Sequence, residues 1–221
     1  MDWDALDSDG LHERLAAGLA RQLPGRLTQR AMTPELAYGR HHGPIAASAR
    51  QAAVLLVVMP TAEGWSLPAL LRPEHMKTHA GQVSLPGGML EANETVEQAA
   101  LREFEEELGA ATSEVQVLGR LSPVYVFVTN FQITPVVAIC RELLPFQPSA
   151  EEVAAVIPLS LRELVDPRSR ASHTIRRNGL TFRAPHFEIG GYRVWGATSL
   201  ILAEFVGLLR QAEENLADIA D

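Results

Sequence analysis

The chain has 221 residues, 47 % hydrophobic and 21 % charged, which fits a globular domain and excludes disorder. Nineteen Lys and Arg against 27 Asp and Glu give a net charge of −8, which repels nucleic acid and argues against duplex binding. No apolar run nears the roughly 20 residues of a membrane helix, and the lone Cys140 can form no internal disulfide, so a reducing cytoplasm is the expected home.

In chain order, the acidic start Met1-Asp-Trp-Asp is unlike a secretory signal. Residues 1–45 read as an N-terminal helical extension. Leu11, Leu15, Leu19 and Leu23 make one apolar helix face, Asp7-Ser8-Asp9 start it and Pro24-Gly25 end it. The stretch to Pro44, including His41 and His42, reads as a connection. Residues 46–221 read as one domain that includes a closing C-terminal helix. Ala52–Met59 is a buried strand, Pro60–Gly64 a turn, Ser66–Arg72 a second strand and Glu74–Gly81 a loop. Gln82–Leu85 is a short extended piece before Pro86-Gly87-Gly88, a strong turn signal. Thr95–Leu108 is the best helix, with capping-box spacing at Thr95 and Gln98 and Gly109 to stop it. Val115–Leu121, Gln132–Cys140 and Val153–Ile157 read as strands and Leu161–Val165 as a helical turn. Thr181–Glu188 and Tyr192–Trp195 read as extended, and Ala197–Asn215 as a closing amphipathic helix.

On the Thr95–Leu108 helix, Glu103, Glu106 and Glu107 fall at i, i+3 and i+4 and share a face, beside an apolar stripe of Ala100, Phe104 and Leu108. Three carboxylates so close repel one another. A divalent cation between them removes that penalty, and hard oxygen ligands suit Mg²⁺ or Mn²⁺. Arg102 is placed to pair with Glu94 or with a ligand carboxylate and hold it in position. Gly87 and Gly88 allow a sharp backbone turn before the helix. A Glu-rich helix alone is most often a solvated face. Here the spacing Gly-x5-Glu-x7-Arg-Glu-(apolar)-x-Glu-Glu-x-Gly resembles the Nudix box, with Gly88, Glu94, Arg102, Glu103, Phe104, Glu106, Glu107 and Gly109 in place. Its seven specified letters match a given window by chance on the order of once in 10⁹, which decides against a solvated face. Ala110 stands where a larger aliphatic is usual.

The resemblance implies an α/β fold, the Nudix α/β/α sandwich with a mixed β-sheet, and attack of water on phosphorus. It also implies Glu103, Glu106 and Glu107 as metal ligands, with Arg102 in the catalytic group. The base stays open, with Glu151 and Glu152 on a later loop as outside candidates. Upstream, Arg72-Pro-Glu-His-Met-Lys77-Thr-His79-Ala-Gly81-Gln82-Val83-Ser84-Leu85-Pro86-Gly87-Gly88 resembles the signature of the coenzyme A pyrophosphatase branch. So does Trp195-Gly196-Ala197-Thr198. Leu85 replaces an aromatic there, and Pro68-Ala69 replace a Leu pair. This resemblance implies cleavage of coenzyme A to 3′,5′-ADP and 4′-phosphopantetheine, with Arg72, Lys77, His79, Gly81, Gln82, Gly87 and Gly88 as substrate contacts. Three readings stay open: a coenzyme A pyrophosphatase; a relative acting on ADP-ribose, a dinucleotide or a nucleoside triphosphate; and a binding module without turnover. Trp195 is expected in the core, and Cys140 buried and inert. The N-terminal helix is expected either to support a homodimer or to cover one face of the sheet.

Overall fold

The computed structural model describes residues 3–37, 43–76, 79–177 and 179–217. His41, His42 and Lys77 lie outside them. The eight apolar residues expected as a strand sit inside β1 (Arg50–Thr61), the centre of an eight-stranded mixed sheet. Its neighbour on one edge is β7 (Phe131–Ile139), which runs parallel. The other edge is divided. β2 (Gly64–Leu71) pairs antiparallel at the Met59 end, and β4 (Gly87–Met89) pairs antiparallel at the Ala52 end. β3 (Val83–Ser84) and β8 (Ala155–Ser160) flank β2, while β5 (Gln116–Arg120) and β6 (Val124–Val126) pair with β7.

Side chains alternate across a strand, so a central strand covered on both faces reads as a continuous apolar run. Leu55, Val57 and Met59 pack with Ala100, Phe104 and Leu108 of α3 (Val96–Leu108). Leu56 and Val58 point the other way and join Leu11 and Leu15 of α1 (Ser8–Leu19) with Phe205 and Leu208 of α5 (Ala197–Ala217). The result is the expected sandwich of helix, mixed sheet and helix, with the N-terminal helix packed beside α5 and against β5.

α1 begins as expected, with the Asp7 carboxylate accepting from the Gly10 N–H at 2.8 Å. It ends at Leu19, before Leu23, where the Arg21 N–H turns to the Gly18 carbonyl at 3.3 Å, a tightened last turn. The connection after it is partly helical: α2 (Arg26–Gln29) and two 3₁₀ turns, Arg30–Met32 and Glu35–Ala37. Pieces this short carry no readable period. The expected turn at Gly87-Gly88 is corrected to strand β4. Gly87 is at φ 153°, and a β-carbon there would lie 2.2 Å from the Ala53 carbonyl oxygen, so glycine serves close strand pairing.

Behind β8, α4 (Leu161–Val165) leads to a second, antiparallel sheet of β9 (Arg170–Arg177), β10 (Leu180–Ile189) and β11 (Tyr192–Trp195). Trp195 is half-buried there, edge-on to His173 at 5.7 Å, and not in the core. Cys140 is fully buried under α3. Among the described residues no helix is long and apolar enough to cross a membrane.

Candidate active site

The site forms where β4 runs beneath α3. The Thr95 hydroxyl accepts from the Gln98 N–H at 3.2 Å, and the Gln98 side chain returns the bond to the Thr95 N–H at 2.9 Å. At the other end Gly109 adopts the left-handed conformation that closes the helix. These two ends fix the helix so that Glu103 and Glu107 face the two glycines of β4. The Glu107 carboxylate accepts from the Gly87 N–H at 2.9 Å. A β-carbon on Gly88 would sit 2.2 Å from Glu103 Oε1, so only glycine leaves room for that carboxylate.

Arg102 is the hub of a charged network. Nε donates to Glu94 at 2.9 Å, Nη1 to Glu103 at 2.9 Å and Glu106 at 3.0 Å, and Nη2 to the Met89 carbonyl at 3.0 Å. It thus does both things expected of it, pairing with Glu94 and with a candidate ligand. Glu94 is held below its ordinary pKa, first by the Arg102 hydrogen bond and then by the Glu91 N–H. Glu103 is raised, because its burial outweighs Arg102. Glu107, 5 % exposed, is pushed up to about 8 by burial, and the charges of Glu103 and Glu152 add to this. The Gly87 N–H and the Arg72 cation oppose the rise.

Two carboxylates on one helix face, Glu103 held by Arg102 and Glu107 raised by burial and by the charge of Glu103, are a donor set that suits a hard divalent cation. Glu106 stands apart from them. Its side chain is 59 % exposed and its carboxylate turns to Arg102. Accordingly, among the described residues no three acidic or His groups converge at metal-ligand geometry. Glu152, an outside candidate by sequence, acts by its charge on both Glu103 and Glu107. A loop residue some 45 positions downstream gives no periodic signal, so only the antiparallel pairing of β8 with β2 reveals its place.

The segment before β4 forms a compact loop around Arg72. The Arg72 N–H donates to the Gln82 carbonyl at 3.0 Å, and the Gly81 N–H to the Arg72 carbonyl at 3.1 Å. His79 Nδ1 and Gln82 Oε1 are 2.9 Å apart, so these two side chains hold each other. Gly81 has φ 65°, and a β-carbon there would lie 2.4 Å from the Glu74 carboxylate. Among the described residues Arg72 Nε is buried without a hydrogen-bond partner. A buried guanidinium donor near enough to Glu107 for its charge to act there is one that an anionic ligand would satisfy.

The family model described as the NUDIX domain matches residues 49–174. A protein of Escherichia fergusonii named "Uncharacterized Nudix hydrolase NudL" is 40 % identical over 159 residues, covering 70 % of this chain and 80 % of that protein. Its Salmonella paratyphi B namesake is 38 % identical over the same shares. Among solved structures, the Nudix hydrolase RenU of M. smegmatis aligns with TM-score 0.43 and 26 % identity, covering 50 % of this chain and 70 % of that one.

Proposed function

The chain belongs to the NUDIX family, and from that premise we propose that this Nudix hydrolase cleaves the diphosphate linkage of coenzyme A or its derivatives to 3′,5′-ADP and 4′-phosphopantetheine. The observation that carries the reading is the pairing of Glu103 and Glu107 over the Gly87-Gly88 backbone with the open, buried donor of Arg72 alongside. Glu103 and Glu107 would hold Mg²⁺ or Mn²⁺, with Glu106 recruited once it leaves Arg102. The bound cation supplies charge neutralisation on the diphosphate and a more acidic water.

The remaining roles belong to the chain's own groups. Arg102 and Glu94 fix the Glu103 carboxylate, so little reorganisation is needed on binding. Gly87 and Gly88 keep side chains out of the space the diphosphate must enter. Arg72 neutralises a phosphate oxygen, and Gly81, His79 and Gln82 shape the loop that delivers it. Glu152 is the candidate to take the proton from water, from outside the helix. The Arg72–Gly88 segment favours coenzyme A over ADP-ribose, dinucleotides and nucleoside triphosphates.

Product analysis with coenzyme A, ADP-ribose, NADH and dNTPs, each with Mg²⁺ and with Mn²⁺, tests this. Coenzyme A is expected to be cleaved fastest, and Glu107→Gln to abolish turnover in a folded protein. Faster cleavage of ADP-ribose would move the substrate, and turnover surviving in Glu107→Gln would overturn the ligand assignment.

A further inference from the structure

Glu152 stands on a loop, and loops place side chains less precisely than helices or strands. This loop is fastened to the helix that carries Glu103 and Glu107. The Gln147 N–H donates to the Leu108 carbonyl at 2.8 Å, and the Ser149 N–H to the Glu107 carbonyl at 3.0 Å. Both carbonyls lie in the last turn of α3, where the helix supplies no partner of its own. The loop therefore completes the helix end and takes its position from it.

Further contacts leave Glu152 little freedom. Pro145 and Pro148 bracket Phe146 and Gln147 and stiffen the backbone there. The Phe146 ring meets the Phe104 ring edge-on, with centroids 6.4 Å apart. The Ser149 carbonyl accepts from the Glu152 N–H at 3.1 Å and the Val153 N–H at 2.8 Å. Val153 is buried in one cluster with Phe104 and Leu108. The Ala154 N–H then donates to the Leu71 carbonyl at 2.8 Å, one residue before Arg72. The fit is tightest at Gly109, which has φ 63°. A β-carbon there would lie 2.3 Å from the Gln147 carbonyl oxygen, a backbone atom that cannot swing aside. Closing the helix needs only the left-handed conformation, which Asn also adopts. The closeness of Gln147 is a second demand, and glycine alone meets it.

We propose that Gly109 is a positioning residue for the reaction: by letting the 146–152 loop close onto the last turn of α3, it fixes Glu152 relative to Glu103 and Glu107. That role rests on the reading of Glu152 as the group that takes the proton from water. Steady-state kinetics on the diphosphate substrate that wild type cleaves fastest test it, in wild type, Glu152→Gln, Gly109→Asn and the double variant. Asn keeps the helix end and brings in the β-carbon. Glu152→Gln should lower kcat about a hundred-fold. Gly109→Asn should lower kcat about thirty-fold in the wild-type background, but less than about three-fold when Glu152 is already Gln. KM should move less than about three-fold, and so should the Mn²⁺ Kd from calorimetry, because Glu103 and Glu107 stay in place. Pro148→Gly loosens the loop without any new β-carbon. It should lose about five-fold in kcat, again only with Glu152 present, and it decides the matter should Gly109→Asn fail to fold. Equal losses of kcat in both backgrounds, a loss carried by KM or by Mn²⁺ affinity, or full activity in Gly109→Asn would each overturn the positioning role and leave the hydrolase reading intact. A wild type that cleaves no diphosphate would sink that reading, and the positioning role with it.

Discussion

Glu107 is under opposing demands. It is buried, yet it stands beside Glu103 and within reach of the Glu152 charge, with one N–H from Gly87 and the Arg72 cation as compensation. Replacing its carboxylate with a neutral amide of the same shape removes the repulsion and keeps an acceptor for Gly87. Glu107→Gln is therefore expected to be more stable than wild type without metal, by on the order of 1–3 kcal/mol at pH 7. Mn²⁺ at about a hundred times its Kd should stabilise wild type by about 2.7 kcal/mol and the variant far less. Urea unfolding with and without Mn²⁺ measures both, and equal Mn²⁺ gains would remove Glu107 from the binding set. At this scale the sequence was legible where helical period alone decides: the shared face of Glu103 and Glu107, and the Ala100–Phe104–Leu108 stripe. The same period puts Glu106 on that face, but a hydrogen bond to Arg102 four residues earlier captures its carboxylate. Competition among rotamers leaves no mark in spacing.

At the level of elements, a buried carboxylate decides how the pieces join. Glu204 interrupts the apolar run of α5 and is fully buried. Its two oxygens accept from the Gly25 N–H at 3.2 Å, Gln29 Nε2 at 2.8 Å and the Ser122 N–H at 3.1 Å. It thus ties α5 to α2 and to the chain just after β5. Glu204→Ala strands three donors, two of them backbone, and each unsatisfied buried group costs about 1–3 kcal/mol. The variant should lose about 3–5 kcal/mol in urea unfolding, and Glu204→Gln about half of that, because the amide oxygen still accepts. A loss under 1 kcal/mol would show that water replaces these bonds readily. Elements were legible where burial on both faces gave an apolar run, as in β1, or where caps marked the ends, as in α3. They were obscured where the pattern was polar. β9 alternates Arg, Ser, His and Thr and escaped notice as a strand, as did β6 with only three residues. The Gly87-Gly88 pair carries the composition of a turn, and only contact with Ala53 makes it a strand.

The molecule as a whole has one core on the α5 side, and the N-terminal extension helps to build it. Trp3, Leu11, Leu15 and Met32 are buried in the same cluster as Leu56, Leu200, Phe205 and Leu209. The Trp65 indole N–H of β2 reaches back to the Leu6 carbonyl at 3.0 Å. A sequence boundary near residue 45 is visible because the family resemblance begins after it, but no composition signal tells whether such a segment packs or hangs free. Full burial of a large apolar side chain contributes roughly 1.5–3 kcal/mol. Leu11, Leu15 and Met32 together then supply roughly 5–9 kcal/mol, comparable with the whole stability of a typical domain at about 5–15 kcal/mol. Removing residues 1–45 also uncovers the apolar face of α5 and leaves Glu204 short of two donors. The full chain is expected to unfold in a single transition. The 46–221 fragment should aggregate or lose its near-ultraviolet circular dichroism at 25 °C, and with it any Mn²⁺-dependent stabilisation, although Glu103 and Glu107 are untouched. A fragment that instead melts cooperatively within a few degrees of the full chain would show that the extension covers the sheet without holding it together.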